Sequence, residues 1–374
     1  MIYLDAAATT LQKPHSVARA SAWAISHMAS PGRGGHRPAM LAADTVFACR
    51  EEAAGLFHAP EPDHVVFTMN ATHALNIAIK TLVRPGDTVL ISGYEHNAVT
   101  RPLAAIPDVR VKVADGALFD PRDMLRRFEE ELDSDVSCVI CGHVSNVFGY
   151  VLPVQEIGEL CARRRTPFIL DASQSAGTLP VHMDRLGADF IAMPGHKGLY
   201  GPQGTGILLC AREARTLLEG GTGSLSLLQQ MPDFLPDRLE AGTHNVAGIA
   251  GLLEGLRFVR RRGEGAILAH ERQLTAYCAH LLEGIGGVTV YAAPRLFCQA
   301  GVLSFRLEGM DCEEVGARLG EQGIAVRAGL HCAPTAHRTA GTLDTGTVRA
   351  SFSAFNTAAD AEALAAAVRR LTRS

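Results

Sequence analysis

The sequence predicts an α/β protein with a mostly parallel seven-stranded sheet, followed by a small α+β domain. In the first two thirds of the chain, short apolar runs alternate with helical patterns, as expected for parallel strands joined by crossover helices. After Gly242 the pattern changes to a long helical stretch followed by short strands. We therefore expect a large domain over residues 15–245 and a small domain formed by residues 1–14 and 246–374.

Seven apolar runs in the first part have the length of buried strands, and three segments between them have helical spacing. The predicted strands are His64–Thr68, Thr88–Ser92, Val109–Val113, Val136–Gly142, Pro167–Leu170, Phe190–Met193 and Thr205–Cys210. The predicted helices are Ala71–Val83, Pro121–Leu132 and Val154–Arg165. Ligands of such sheets bind in loops at the carboxyl ends of the strands, so the functional residues are expected there.

The second part begins with a helical stretch from Gly248 to about Gly284. The Gly-rich bend Gly220–Gly223 before it is interpreted as a loop rather than as a domain boundary. The elements predicted after the helical stretch are strands at Val288–Tyr291, Val302–Leu307 and Ile324–Arg327, a helix from Asp311 and a helix near Asp360–Leu371.

Composition is that of an ordinary globular protein. The 374 residues include 35 Lys and Arg against 39 Asp and Glu, a net charge of −4 that gives no reason to expect a nucleic-acid partner. No apolar stretch reaches the roughly 18 residues of a membrane span, and Met1–Thr10 does not resemble a signal peptide. Nine cysteines, an odd number, do not fit a fully paired disulfide framework. We expect a cytoplasmic protein with reduced thiols, no bound metal and no membrane partner.

Two charged residues follow predicted buried strands. Lys197 lies in a glycine-rich loop, where burial of its charge is costly unless it is paired or neutralised. A covalent link to a carbonyl cofactor is one known use of such a lysine, and a solvated turn lysine is the alternative. Asp171 ends a buried strand and requires a cationic partner. The protonated pyridine nitrogen of pyridoxal phosphate is such a partner, whereas a helix N-cap is the alternative.

Asp171-Ala-Ser-Gln174, followed by Gly195-His-Lys197, resembles the class V aminotransferase superfamily of pyridoxal-phosphate enzymes with fold type I. Within it the sequence is most similar to cysteine desulfurases and selenocysteine lyases. The resemblance runs from Tyr3 to Thr357, nearly the whole chain. It implies that Lys197 holds pyridoxal 5'-phosphate and moves the substrate α-proton, that Asp171 pairs with the ring nitrogen, and that the protein is a homodimer.

The resemblance assigns further residues to the cofactor. Ala71 and Thr72 are implied to cradle the phosphate, a role suited to the N–H groups of a helix N-terminus, although an N-cap without a ligand is the alternative. The other implied contacts are His96 at the ring face with a part in proton transfer, Asn146 and Gln174 at the ring oxygen, His196 at the phosphate, and Thr243 at the phosphate of the partner subunit. Two departures stand out. Pro194 replaces a serine that many relatives use for the phosphate, and Gly198 is expected to loosen the lysine loop.

Cys332 lies in a loop after the strand Ile324–Arg327. A reactive thiol needs an exposed, electropositive setting, which Arg327 and His331 are expected to supply, and a structural thiol is the alternative. The resemblance implies that Cys332 attacks the sulfur of a bound cysteine, so that alanine leaves and a persulfide remains. Leu330 stands where relatives often carry a histidine, which raises the question of what deprotonates the thiol.

Substrate binding is expected to depend mainly on Arg349, because a guanidinium binds a carboxylate bidentately. Further substrate contacts are implied for Arg327, Asn146 and, near the entrance, Arg33. The pair Cys138 and Cys141 lies in a strand pattern, where positions i and i+3 point to opposite faces, so a redox or metal site is not expected. The remaining cysteines are interpreted as apolar filler.

The residues and the resemblance together predict a pyridoxal-phosphate-dependent cysteine desulfurase acting on L-cysteine. The alternatives are a selenocysteine lyase acting on L-selenocysteine, another aminotransferase-type enzyme of the superfamily, and a non-catalytic sulfur-transfer or scaffold partner with a vestigial site. A sulfur-acceptor protein is expected, but the sequence does not identify it.

Overall fold

The computed structural model describes residues 1–32 and 34–372. Its helices are α1 (His15–His27), α2 (Arg37–Phe57), α3 (Ala71–Leu82), α4 (Asn97–Ala104), α5 (Pro121–Glu131), α6 (Val154–Arg164), α7 (Met183–Leu186), α8 (Val246–Arg262), α9 (Glu264–Glu283), α10 (Cys312–Glu321), α11 (Pro334–Thr339) and α12 (Ala358–Leu371). Its strands are β1 (Ile2–Tyr3), β2 (Val65–Thr68), β3 (Thr88–Ser92), β4 (Arg110–Ala114), β5 (Val136–Gly142), β6 (Phe168–Asp171), β7 (Phe190–Pro194), β8 (Gly206–Cys210), β9 (Val288–Tyr291), β10 (Val302–Leu307), β11 (Ile324–Ala325), β12 (Arg327–Gly329) and β13 (Thr347–Ser351).

Seven strands form the central sheet in the order β2-β8-β7-β6-β5-β3-β4. β7, β6, β5, β3 and β4 run parallel, whereas β8 is antiparallel to both of its neighbours. The predicted mostly parallel seven-stranded sheet is therefore confirmed. All residues of β3, β6, β7 and β8 are buried, as expected for a sheet covered by helices on both faces.

Alternate residues of the central strands pack into two cores on opposite faces of this sheet. Cys141 and Leu170 face the core built with α2, α5, α6 and α8. Cys138 and Ile140 face the core built with α3 and α4. The prediction that the two cysteines of this strand point to opposite sides is confirmed.

A second, antiparallel sheet has the order β12-β13-β10-β9 and packs with α9, α10 and α12 around its own core. The first strand of the chain, β1, pairs in parallel with β11, which places the N-terminal residues beside this part of the fold. α8 contributes Ile249, Leu252 and Leu256 to the core of the first sheet. The domain limits at residues 14/15 and 245/246 remain a prediction.

Some predicted elements differ in detail. The long helical stretch after Gly248 is two helices, because Gly263 adopts a φ of +83°, which a continuous helix does not allow. The predicted strand Ile324–Arg327 is divided, since β11 pairs with β1 whereas β12 pairs with β13. The sequence reasoning did not identify α1, α2 or β13.

Candidate active site

A pocket lies at the carboxyl ends of the parallel strands, and its wall includes the loops after β3, β5, β6 and β7 and the start of α3. The second sheet closes it with Arg327 and Arg349, and the loop after β12 closes it with Cys332. The other predicted residues that line it are Ala71, Thr72, His96, Asn146, Asp171, Gln174, His196 and Lys197. The fold thus brings together predicted residues that are up to 278 positions apart, from Ala71 to Arg349.

Lys197 and Asp171 form the charged centre of the pocket. Asp171 is buried at the end of β6, and Lys197 is half-buried three residues after β7. Burial lowers the pKa of Lys197 to about 8, although the charge of Asp171 acts in the opposite direction. Asp171 accepts a hydrogen bond from Ser173 N–H at 2.9 Å, but the next helix, α7, begins only at Met183. The helix-capping alternative for Asp171 therefore does not apply.

Two glycines hold the loops of these residues against each other. A Cβ on Gly198 would lie 2.4 Å from the carbonyl oxygen of Ala176, and a Cβ on Gly177 would lie 2.2 Å from that of Gly198. Neither distance is compatible with a side chain. The expectation that Gly198 loosens the lysine loop is therefore wrong, since this glycine permits close packing of the loop on the segment that follows Asp171.

The N-terminal segment covers the same loop from outside, a feature that sequence reasoning missed. Thr10 N–H donates to the carbonyl oxygen of His196 at 3.1 Å. Lys13 Nζ donates to Thr10 Oγ1 at 2.8 Å, and burial lowers the pKa of Lys13 to about 8. Thr10 and Lys13 therefore hold the backbone of the loop that carries Lys197.

The start of α3 offers an anion site. Asn70 is the N-cap, and its side chain accepts from His73 N–H at 2.9 Å, while the Asn70 carbonyl accepts from Ala74 N–H at 3.2 Å. Among the bonds of the described residues, the N–H groups of Ala71 and Thr72 have no such partner and lie on the pocket wall. These N–H groups fit a phosphate. Pro194, which cannot donate a hydroxyl, lines the same wall.

His96 and His196 are neutral imidazoles. Burial lowers the pKa of each to about 4. His96 Nδ1 accepts from Ala98 N–H at 3.0 Å, so the neutral ring carries its proton on Nε2 and is a donor rather than a base. His196 Nδ1 lies 3.0 Å from Thr9 Oγ1, and the Thr9 hydroxyl donates to the carbonyl oxygen of His196 at 3.2 Å.

Asn146 connects Arg349 with the loop that bears the Cys332 thiol. Its Nδ2 donates to the carbonyl oxygen of His331 at 2.8 Å, and its own carbonyl accepts from Arg349 Nη1 at 2.9 Å. Its Oδ1 is buried without a partner in the structure, as is Arg349 Nε. Gln174 has less freedom, since its Nε2 donates to the carbonyl oxygen of Ala7 at 3.0 Å. Buried polar atoms left open in this way indicate a polar ligand.

Arg349 and Arg327 line the pocket and are the residues predicted to bind substrate. They are directly opposite each other in the β12–β13 pairing, with Arg349 buried and Arg327 exposed. Two like charges on facing positions repel, so an anion between them is favourable. Asp5, which sequence reasoning missed, already binds Arg349 Nη2 at 2.6 Å. The two residues are more than 340 positions apart, so no local sequence pattern predicts that they pair.

Cys332 is exposed, whereas the other eight cysteines, all within the described residues, are buried. Both His331 and Cys332 have positive φ values, 50° and 57°, which turn the chain sharply at the thiol. His331 is buried, and burial lowers its pKa to about 2. The expectation that His331 adds positive charge near the thiol is therefore wrong, and Arg327 is the cation that lines the pocket with Cys332.

Two of the predicted site residues are not among the described residues that line the pocket. Thr243 is exposed and lines a separate depression beside Gly204 and His73, so it does not reach the pocket of its own chain. Arg33 lies outside the described residues. The roles assigned to both remain predictions.

Two histidines and an aspartate form a cluster with the side-chain types of a metal site. Ligand atoms of His58, His182 and Asp184 lie within 4.8 Å of one another. The two rings are stacked at 3.9 Å with planes 6° apart. An imidazole binds a metal in its ring plane, and two parallel planes share no such point. This arrangement does not fit a metal ion.

Comparison with known proteins agrees with this geometry. The family model for aminotransferase class-V matches residues 2–364. A probable cysteine desulfurase of Methanothermobacter thermautotrophicus is 36% identical over 97% of this chain and 92% of its own length. One of Mycolicibacterium paratuberculosis is also 36% identical over 99% of this chain, which spans only 55% of that longer relative.

Solved structures show the same fold. The apo cysteine desulfurase of Thermococcus onnurineus NA1 has a TM-score of 0.89 and 30% identity, covering 100% of this chain and 94% of that one. The cysteine desulfurase CsdA (S-sulfonic acid) of Escherichia coli has a TM-score of 0.87 and 27% identity, with the same coverage. In the described part of the chain, no helix is both long and apolar enough to cross a membrane.

Proposed function

The chain belongs to the aminotransferase class-V family, and on that premise we propose that it is a pyridoxal-phosphate-dependent cysteine desulfurase. It would convert L-cysteine to L-alanine and keep the sulfur on Cys332. One observation carries this proposal: the exposed cysteine lines the same pocket as Lys197 and Asp171. A transaminase has no need of a thiol at that position.

The pocket residues fit pyridoxal 5'-phosphate. Lys197 would hold its aldehyde carbon, Asp171 its ring nitrogen, and the N–H groups of Ala71 and Thr72 its phosphate, with His196 beside them. His96, Asn146 and Gln174 would contact the ring and its oxygen. When bound, the cofactor supplies an electron sink for the bonding electrons at the substrate α-carbon.

The chain's own residues perform the remaining steps. Arg349, with Arg327 opposite, binds the substrate carboxylate, and the backbone carbonyl of Asn146 holds the Arg349 guanidinium in place. Lys197 Nζ moves the α-proton, which its lowered pKa of about 8 permits near neutral pH. The Cys332 thiolate then attacks the substrate sulfur. The new S–S bond forms as the carbon–sulfur bond breaks, and the carbon keeps that electron pair, takes up a proton and leaves as alanine.

A homodimer, a protein sulfur acceptor and a cytoplasmic location complete the proposal. Thr243 is exposed and lies outside the pocket of its own chain, so a role at the phosphate would require the partner subunit. The exposed thiol would pass its persulfide sulfur to an acceptor protein. Because oxidation would inactivate that thiol, a reducing compartment suits the chain.

The test is alanine formation by the holoenzyme from L-cysteine and from L-selenocysteine, with mass-spectrometric detection of a persulfide on Cys332. We expect L-cysteine to yield alanine and the persulfide, and Cys332→Ala to lose both. Cys278 is a buried cysteine of α9, so Cys278→Ala is the matched control. This variant should keep both alanine formation and the persulfide on Cys332. Full activity of Cys332→Ala with L-cysteine would contradict the proposal.

The same assay distinguishes the alternative functions. Activity with L-selenocysteine alone would identify a lyase, and keto-acid-dependent transamination would identify an aminotransferase. Failure to bind the cofactor would indicate a vestigial site.

A further inference from the structure

Glu95 is an acidic residue of the pocket that has no part in the proposed reaction. It follows β3, directly before His96, and its side chain is buried with 1% exposure. Its Oε1 accepts two hydrogen bonds, one from the Ser92 hydroxyl and one from Gly142 N–H at 2.8 Å. Its Oε2 is buried and has no hydrogen-bond partner among the described residues. A fully buried carboxyl oxygen without a partner calls for an explanation.

The asymmetry of these bonds matches a protonated acid. In a carboxylic acid the carbonyl oxygen accepts, and the other oxygen carries a proton that it donates. Oε1 has two donors, as a carbonyl oxygen would, and Oε2 has none. An ionised carboxylate would instead need donors on both oxygens to offset the cost of burial.

Asp171 lies on the strand beside Gly142, and its charge acts on Glu95. Gly142 at the end of β5 pairs in register with Asp171 at the end of β6, so their Cα–Cβ directions share one face of the sheet. A Cβ on Gly142 would lie 3.5 Å from Glu95 Oε2. The missing side chain at position 142 therefore leaves room for the Glu95 carboxyl beside Asp171.

Two neighbouring carboxyl groups in a buried site do not both ionise at neutral pH. Burial raises the pKa of Glu95 to about 8, and the charge of Asp171 adds to this effect. The other titratable group facing Glu95 is the Cys141 thiol of β5, whose pKa burial raises well above its usual value, so it is neutral. Asp171 is the better anion of the two, because it accepts from Ser173 N–H and lies near Lys197.

We propose that Glu95 is a protonated carboxylic acid that donates its Oε2–H to Asp171, and that it is a positioning residue which orients Asp171 toward the ring nitrogen of the cofactor. This inference rests on the proposed function for the identity of that ring. The neutral acid adds a donor without adding charge, so Asp171 keeps the negative charge that a pyridinium requires.

The first test is the thermal stability of the holoenzyme against pH, for the wild type, Glu95→Gln and Glu129→Gln. Glutamine keeps a donor in place of Oε2–H but does not ionise. In the wild type, the folded state keeps the Glu95 proton up to about pH 8, whereas the unfolded chain loses it at about pH 4.3. The contribution of Glu95 to the free energy of unfolding therefore falls as the pH rises between these two values. We expect the Tm of Glu95→Gln, relative to the wild type, to rise from pH 5 to 8 and then level off. The exposed control Glu129→Gln should show no such trend.

The second test separates positioning from a structural role. Glu95→Gln should bind pyridoxal phosphate nearly as tightly as the wild type, and Glu95→Leu, which has no donor, about tenfold or more weakly. In Glu95→Leu, the pH midpoint of the bound cofactor's absorbance should also move, whereas a merely structural role would leave it in place.

Two results would overturn the inference. One is a Tm difference between Glu95→Gln and the wild type that does not change with pH. The other is an unmoved absorbance midpoint in Glu95→Leu. Absence of alanine formation from L-cysteine, with both expected results obtained, would contradict the proposed function but not the protonation of Glu95.

Discussion

Arg349 and Asp5 form a buried ion pair across the two ends of the chain, with Arg349 Nη2 at 2.6 Å from Asp5 Oδ1. The side chains are 2% and 20% exposed, so solvent screens the pair little. Arg349 also donates to the carbonyl oxygen of Asn146, which fixes the guanidinium from a second side. The arginine proposed to bind substrate is thus oriented before any carboxylate arrives.

Removing the Asp5 charge should therefore destabilise the protein. Asp5→Asn leaves a buried guanidinium without its counterion, which costs about 3–5 kcal/mol of unfolding free energy. Urea denaturation of the holoenzyme measures this loss. Asp233→Asn changes an exposed aspartate in the same way and should have little effect. Equal stability of the two variants would show that the ion pair is not significant.

Arg349→Lys should raise the KM for L-cysteine about 10–100-fold, because a lysine cannot replace a bidentate contact. Cofactor binding should be nearly unchanged, since Arg349 is proposed to bind the substrate and not the cofactor. Steady-state kinetics together with the cofactor absorbance test both statements. Arg369→Lys, on the exposed side of α12, serves as the control. An unchanged KM would remove Arg349 from the carboxylate site.

Cys332 should be the one thiol of the native holoenzyme that iodoacetamide alkylates rapidly. The reaction needs an accessible thiolate, and the other eight cysteines are buried. Burial also raises the pKa of those thiols, to about 12 for Cys161 and Cys278. Peptide mapping after brief labelling should find the label at Cys332. Comparable labelling of any second cysteine would contradict this prediction.

The sequence predicted the sheet and most of the pocket, because both depend on local patterns. Strands such as Thr88–Ser92 and Val136–Gly142 were predicted with the observed bounds, since a continuous apolar run marks a strand buried on both faces. Asp171 is the last residue of such a strand, and Lys197 lies three residues after another. The fold therefore brings them to one edge, as predicted.

The parts that were missed depend on distant contacts or on side-chain environment. The approach of Asp5 to Arg349 has no local signal, and neither has the covering of the lysine loop by Thr10 and Lys13. His331 was expected to carry charge because its burial was unknown. The sequence shows which residues can titrate, but the burial of each side chain in the folded protein determines whether it is protonated.

Lys197 should capture pyridoxal phosphate faster as the pH rises toward 8 and above. Its pKa is lowered to about 8 by burial, and the neutral amine is the nucleophile. Apoprotein mixed with the cofactor in a stopped-flow absorbance experiment should show a rate constant that rises with a midpoint near pH 8. Lys197→Ala should give no covalent product. A midpoint near 10.5, the usual lysine pKa, would show that the pocket does not perturb this amine.

Gly198→Ala should separate the lysine loop from the segment after Asp171. Its Cβ would lie 2.4 Å from a backbone carbonyl oxygen of Ala176, and backbone cannot move aside as a flexible side chain does. We expect a loss of about 2 kcal/mol or more of stability and weaker binding of pyridoxal phosphate, because Lys197 is displaced from Asp171. The matched control is Gly55→Ala in α2, where a Cβ meets no atom within 4 Å. That control should gain about 0.5–1 kcal/mol, since alanine favours a helix. If Gly198→Ala matched the control in stability and cofactor affinity, close packing of the two loops would not be what aligns the lysine with the aspartate.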